Sequence, residues 1–118
     1  MNNGYNKDLG RKGEMDAALF LEERGFEIVK RNYRYGRAGE IDIIARKENL
    51  VIFVEVKHRS SDAYGGALYA ISARKLRTMK LAARQFVANN FLAEDITYRF
   101  DVIAIDRDSL NWIEDVIR

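Results

Sequence analysis

Three acidic side chains and one amine are of the types and spacing that could do chemistry together: Glu14, Asp42, Glu55 and Lys57. Asp42 and Glu55 interrupt two otherwise apolar segments, EIDIIAR and LVIFVEVK, which are separated by Lys47, Glu48 and Asn49. If these segments form a hairpin with its turn centred on Glu48 and Asn49, Asp42 faces Glu55, with Cβ atoms about 5 Å apart. A three-residue loop would instead shift the register by one and put the two carboxylates on opposite faces of the sheet. Lys57 stands two residues beyond Glu55 and projects from the same face of its strand.

Two carboxylates so close repel each other, and in a half-buried site one tends to keep its proton. A hard divalent cation removes that conflict. Mg²⁺ takes oxygen ligands and often uses only one or two carboxylates, completed by water and substrate phosphate. The Lys57 ammonium offsets the remaining charge and could orient or deprotonate a metal-bound water. With Mg²⁺ or Mn²⁺, such a set suits phosphodiester hydrolysis: a polarised phosphoryl oxygen, a more acidic water and a positioned base or cation. Local spacing alone leaves a plainer reading open, because Glu-x-Lys on an exposed strand is often half of a cross-strand ion pair. The apolar neighbours weigh against that reading, since solvated charges usually occupy a polar face.

The elements that must position these groups can be read from the same sequence. A helix from about Lys7 to Arg24, stopped by Gly25, carries Ala17, Ala18, Phe20 and Leu21 on one face. Glu14 precedes Ala17, Ala18 and Leu21 by three, four and seven positions and so shares their stripe, where a carboxylate needs a partner. FEIVKRNYRY has the β-branched and aromatic content of a strand, and the glycines of YGRAGE turn the chain into the two central strands. The span from Ser60 to Ser72, with Gly65 and Gly66 in its middle, reads as a loop. Ser72 can cap a second helix running to about Asn90, with Leu76, Met79, Ala83, Phe86, Val87 and Asn90 on one stripe and Arg77, Lys80 and Arg84 on another. ITYRFDVIAID predicts a further strand, and the tail NWIEDVIR a helical turn or an edge strand. The order α-β-β-β-α-β over residues 1–118 predicts a single α/β domain: a mixed central sheet flanked by helices, built from a meander, a crossover helix and a returning strand. That crossover is right-handed if the last strand runs parallel to its neighbour.

Composition bounds the rest. A chain of 118 residues suits one core, and 47% apolar with 32% charged residues excludes a disordered chain. The absence of cysteine excludes disulfides and thiolate metal sites. The sequence has neither a secretory pattern nor an apolar run of about 20 residues, so the expected location is the cytoplasm, away from membranes. A net charge of +2 argues little for nucleic-acid binding, but its distribution says more. Basic residues gather in KRNYRYGR and ARKLRTMKLAAR, offering Arg31, Arg34, Arg37, Arg77, Lys80 and Arg84 as phosphate contacts. For each segment a solvated surface is the alternative. Glu40 reads either as an extra metal ligand or as an ion-pair partner of Lys57. His58 points to the opposite face from Lys57, as a surface residue or a phosphate contact. Tyr64 and the Gly65-Gly66 turn could meet a nucleic-acid strand. Asp101 reads as an intramolecular ion-pair partner.

The run GRKGEMDAALFLEERGFEIVKRNYR, followed by GRAGEIDIIAR, VIFVEVKHRSS, RKLRTMKLAAR and RFDVIAID, resembles the YraN family of small bacterial proteins. These look like restriction-endonuclease-like, PD-(D/E)xK-type nuclease domains similar to archaeal Holliday junction resolvases. The resemblance covers nearly the whole chain, and the pairing of GEIDIIA with FVEVK is its most specific part. It implies Asp42 and Glu55 as metal ligands with the Val56 carbonyl assisting, Lys57 as the catalytic lysine, and Glu14 as the acidic residue from the first helix. Ile41 stands where the motif's proline would precede the Asp. The expected activity is metal-dependent cleavage of DNA rather than RNA, including branched or structured DNA. The alternative is a module that keeps the nuclease fold and binds nucleic acid or a protein partner without catalysis. Since related resolvases act as dimers on symmetric junctions, the resemblance leaves room for a homodimer.

Overall fold

Gly25 ends the first helix as its position predicts. Its φ of +91° lies in the left-handed region, Phe26 N–H reaches Leu21 O and Gly25 N–H reaches Glu22 O, each at 3.0 Å. These two bonds form a Schellman motif, and Leu21 and Phe26 then bury together beneath it. The computed structural model describes residues 3–37, 39–58, 73–91, 93–106 and 109–116. The predicted Ser60–Ser72 loop, with Tyr64, Gly65, Gly66 and the Ser72 cap, lies outside them.

Helix α1 (Asn3–Glu23) starts earlier than the sequence suggests. Three strands follow, β1 (Glu27–Tyr35), β2 (Gly39–Lys47) and β3 (Leu50–His58), then α2 (Ala73–Asn90), β4 (Thr97–Ile105) and β5 (Leu110–Ile113). The strands form one sheet in the order β1-β2-β3-β4-β5. The first three pair antiparallel as a meander, β4 returns parallel to β3 after α2, and β5 closes the edge antiparallel to β4. This is the mixed sheet and α-β-β-β-α-β core expected of a restriction-endonuclease-like domain. The tail adds an edge strand, one of its two predicted forms.

The helices cover opposite faces of the sheet. Ala17, Ala18 and Leu21 of α1 bury against Ile43, Ala45, Ile52, Val54 and Ile103. Met79, Ala82, Ala83 and Phe86 of α2 bury against Ile41, Ile44, Val51, Phe53 and Phe100. Both faces of β2 and β3 are therefore apolar, which is why these strands read as continuous hydrophobic runs. Phe53 sits at the centre of the α2 side, stacked on Phe100 and edge-on to Phe86.

Among the described residues, one charged side chain sits wholly inside. Asp101 is fully buried and accepts hydrogen bonds from Arg99 Nε, Trp112 Nε1 and the Asp115 N–H at 2.9–3.0 Å. It is the intramolecular ion-pair partner that the sequence predicts, and it ties β5 and the following residues to β4.

Candidate metal centre

The hairpin between β2 and β3 has a two-residue loop, Glu48-Asn49, closed by the pair Lys47–Leu50. That selects the even register. The ladder continues to Ile43–Val54, and the same register carried one step further sets Asp42 opposite Glu55. Here the strands stop pairing by backbone alone. Val56 N–H donates to Asp42 Oδ2 at 2.8 Å.

The sheet also turns over at this point. Tyr33 pairs with Ile41 and packs toward α2, whereas Arg31 pairs with Ile43, which packs toward α1. Residues two apart on a regular strand share a face, so both strands rotate between these pairs. The residue between them on β1 is Asn32, at a left-handed φ of 54°. Asparagine tolerates that conformation better than most residues with a Cβ. Asp42 occupies the corresponding place on β2, and this rotation aims its carboxylate at the end of β3.

Glu55 and Lys57 continue the α2-facing series of Val51 and Phe53, while Val56 continues the α1-facing series of Ile52 and Val54. All three of Glu55, Val56 and Lys57 are half-buried. Glu55 Oε1 is buried and makes no hydrogen bond; its contact with Lys75 Nζ, at 3.2 Å, is an ion pair without hydrogen-bond geometry. A strand residue directs its N–H and C=O to the same neighbour, so the Val56 carbonyl faces β2 as its N–H does.

Both helices come close to this end of the sheet through glycines. On α1, Gly13 is buried under the His58 imidazole, and any Cβ there would collide with it. The next residue, Glu14, is half-buried and lies 3.6 Å from Arg31 Nη2. On β2, a Cβ at Gly39 would come within 2.6 Å of the Thr78 side chain of α2. That contact brings the first turn of α2, and with it Lys75, over Glu40 and Glu55.

The electrostatics record the convergence. Asp42 is pushed up to about 7, first by burial and next by the Glu55 charge. The Val56 hydrogen bond opposes the shift, Glu14 adds to it and Lys75 reduces it. Glu55 and Glu14 thus both bear on Asp42. Among the described residues, however, no three His, Cys, Asp or Glu side chains stand close enough to hold a metal ion by themselves. The donors that fit one are Asp42, Glu55 and the Val56 carbonyl. They are hard oxygens, and one carboxylate oxygen is buried without a hydrogen bond. Two carboxylates with water suffice for Mg²⁺ or Mn²⁺.

The basic candidates divide into two groups. Arg31 pairs with Glu14, and Arg34 pairs with Glu40 at 3.6 Å. Arg37 lies exposed in the turn after β1, and Arg77, Lys80 and Arg84 are exposed on α2. Sequence reasoning missed Lys75, which looks like one more cation of the α2 row. The signal that could have found it is Gly39 beside Glu40, a place where a helix can approach the strand.

A five-stranded mixed sheet flanked by two helices, with Asp42, Glu55 and Lys75 gathered where β2 and β3 part, defines a mixed α/β domain compatible with an α-β-β-β-α-β core. The profile of the uncharacterised protein family UPF0102, which is the YraN family, matches residues 13–105, and the chain belongs to that family. A UPF0102 protein of Shewanella baltica is 44% identical over 107 residues, covering 91% of this chain and 96% of the relative. One from Shewanella pealeana is 41% identical over 110 residues, covering 93% and 96%. One from Shewanella loihica is 42% identical over 104 residues, covering 88% and 89%.

Proposed function

We propose that this protein is a Mg²⁺- or Mn²⁺-dependent nuclease that hydrolyses phosphodiester bonds of DNA, including branched or structured DNA. The observation that carries this reading is the carboxylate pair at the β2–β3 end: Asp42 raised to about 7 beside a Glu55 whose buried Oε1 accepts no hydrogen bond and is met by the single ammonium of Lys75. Such a pair costs stability unless something positive completes it. Asp42, Glu55 and the Val56 carbonyl would hold the ion, with Glu14 as the further acid from α1. A bound ion supplies charge stabilisation at the phosphoryl group and a more acidic water. Lys57, on the same face as Glu55, orients that water or takes its proton. Arg37, Arg77, Lys80 and Arg84, exposed in the fold, would meet backbone phosphates.

The test is incubation of the purified protein with Mg²⁺ or Mn²⁺ and a panel of duplex, single-stranded, branched and RNA substrates. Cleavage of DNA that is lost in both Asp42→Asn and Lys57→Ala is expected. Cleavage that persists in both variants removes these residues from the chemistry.

A second reading is favoured by a separate observation: Arg31, Arg34 and Lys75 already neutralise Glu14, Glu40 and Glu55. In that reading the domain binds nucleic acid or a protein partner without turnover. It predicts that millimolar Mn²⁺ leaves the melting temperature unchanged, whereas an ion bound only to the native state raises it.

A further inference from the structure

Lys75 stands in the first turn of α2, and its ammonium reaches both β2 and β3 where the two strands part. Nζ donates to the Glu40 carbonyl at 3.1 Å and lies 3.2 Å from Glu55 Oε1. The base of the side chain is fixed. Thr78 Oγ1 donates to the Lys75 carbonyl at 2.9 Å, and the Thr78 side chain rests on Gly39. The ammonium therefore sits between a carboxylate oxygen and a main-chain carbonyl, the two kinds of oxygen that a hard cation takes.

We propose that Lys75 is an internal counter-cation occupying the cation position at Glu55, and that a divalent ion binds by displacing its ammonium from that carboxylate. The inference rests on the metal reading given above. Lys75 brings one positive charge to a place where Glu55 and Asp42 supply two carboxylates. A doubly charged ion neutralises the pair more fully. The exchange gives up little at Glu55, because the contact there is Coulombic and Glu55 Oε1 accepts no hydrogen bond. A lysine is suited to such movement, with a compact, hydrated charge on a flexible stem. Before an ion arrives, Lys75 holds the Glu55 carboxylate at the site through this contact. It is a positioning residue.

Two measurements test this. Calorimetric titration with Mn²⁺ at pH 8 compares the wild type with Lys75→Met. Removing a competing cation should tighten binding by about tenfold, equivalent to about 1.4 kcal/mol. A lysine that merely held Glu55 in place would weaken binding when removed. The second measurement uses the wild-type chain and does not depend on the folding of a variant. Acylation of Lys75 by an amine-reactive ester, followed by mass spectrometry, should accelerate when Mg²⁺ saturates the protein, while Lys80 reacts at an unchanged rate. Unchanged or weaker Mn²⁺ binding by a folded Lys75→Met overturns the proposal, as does acylation of Lys75 that Mg²⁺ leaves unchanged or slows. If neither wild type nor variant binds Mn²⁺, the metal reading itself falls, and this inference falls with it.

Discussion

Asp42 Oδ2 takes the Val56 N–H at 2.8 Å, just past the last paired residues of the β2–β3 ladder. A side chain thus does what a backbone carbonyl does elsewhere in the hairpin, and the two strands can part without orphaning a half-buried amide. The same bond fixes the Asp42 carboxylate beside Glu55. Fold and site share this one contact.

The raised Asp42 gives the metal-free protein a defined pH response. Its carboxyl holds a proton in the folded state up to about 7, against 3.8 as its ordinary value. Between those values the folded state binds more protons than the unfolded one, so stability from this group is full below about 4 and is lost as pH rises through about 7. Melting temperature in chelator should therefore fall over that interval, and Asp42→Asn should flatten the fall. Mn²⁺ binding should strengthen with pH over the same interval, because the ion competes with the proton. A wild-type stability profile identical to that of Asp42→Asn contradicts the assignment.

Gly13 lies under the ring tip of the exposed His58 side chain, which must shift to admit a Cβ. Gly13→Ala should cost about 1 kcal/mol or more, the lower range for overpacking. In a His58→Ala background the same change should become neutral or stabilising, since alanine exceeds glycine in a helix by about 0.5–1 kcal/mol. Denaturant unfolding of the four proteins measures the coupling. Additive effects would mean that the imidazole does not rest on Gly13.

Asp101 is the contrasting carboxylate, buried but fully partnered. Asp101→Ala removes the acceptor of the Trp112 Nε1–H and the Asp115 N–H, while Arg99 keeps its pair with Glu114 at 2.7 Å. The expected loss is about 2 kcal/mol, the scale for leaving buried donors unsatisfied. Mn²⁺ affinity of the folded variant should be unchanged, as Asp101 serves the β4–β5 edge.

Much of this arrangement is legible in the sequence because it follows from local rules. Gly25 predicts the end of α1, and the two-residue turn Glu48-Asn49 sets the register that faces Asp42 toward Glu55. The apolar runs of β2 and β3 announce a sheet covered on both sides. Other features depend on contacts between distant segments. The rotation of β1 and β2 between Arg31–Ile43 and Tyr33–Ile41 leaves no periodic trace, only an asparagine at its centre. Lys75 has the same composition signal as its neighbours on α2, and the close approach at Gly39 alone sets it apart. Arg31 and Arg34 read as phosphate contacts from their charge, yet in the fold each pairs with an acid.

The exposed row on α2 gives a prediction about DNA binding. If Arg77, Lys80 and Arg84 each neutralise a phosphate, each replacement by alanine should lower the log–log salt slope for duplex binding by about 0.9. Fluorescence anisotropy over a series of salt concentrations measures it. A slope unaltered in the triple variant would identify the row as solvated surface.

The most direct test of the central claim is a Mn²⁺ titration of the wild type beside Asp42→Asn and Glu55→Gln, followed by calorimetry. The account predicts a single saturable site in the wild type that is lost in both variants while the fold persists. Absence of binding in the wild type, or equal binding in all three proteins, would contradict it.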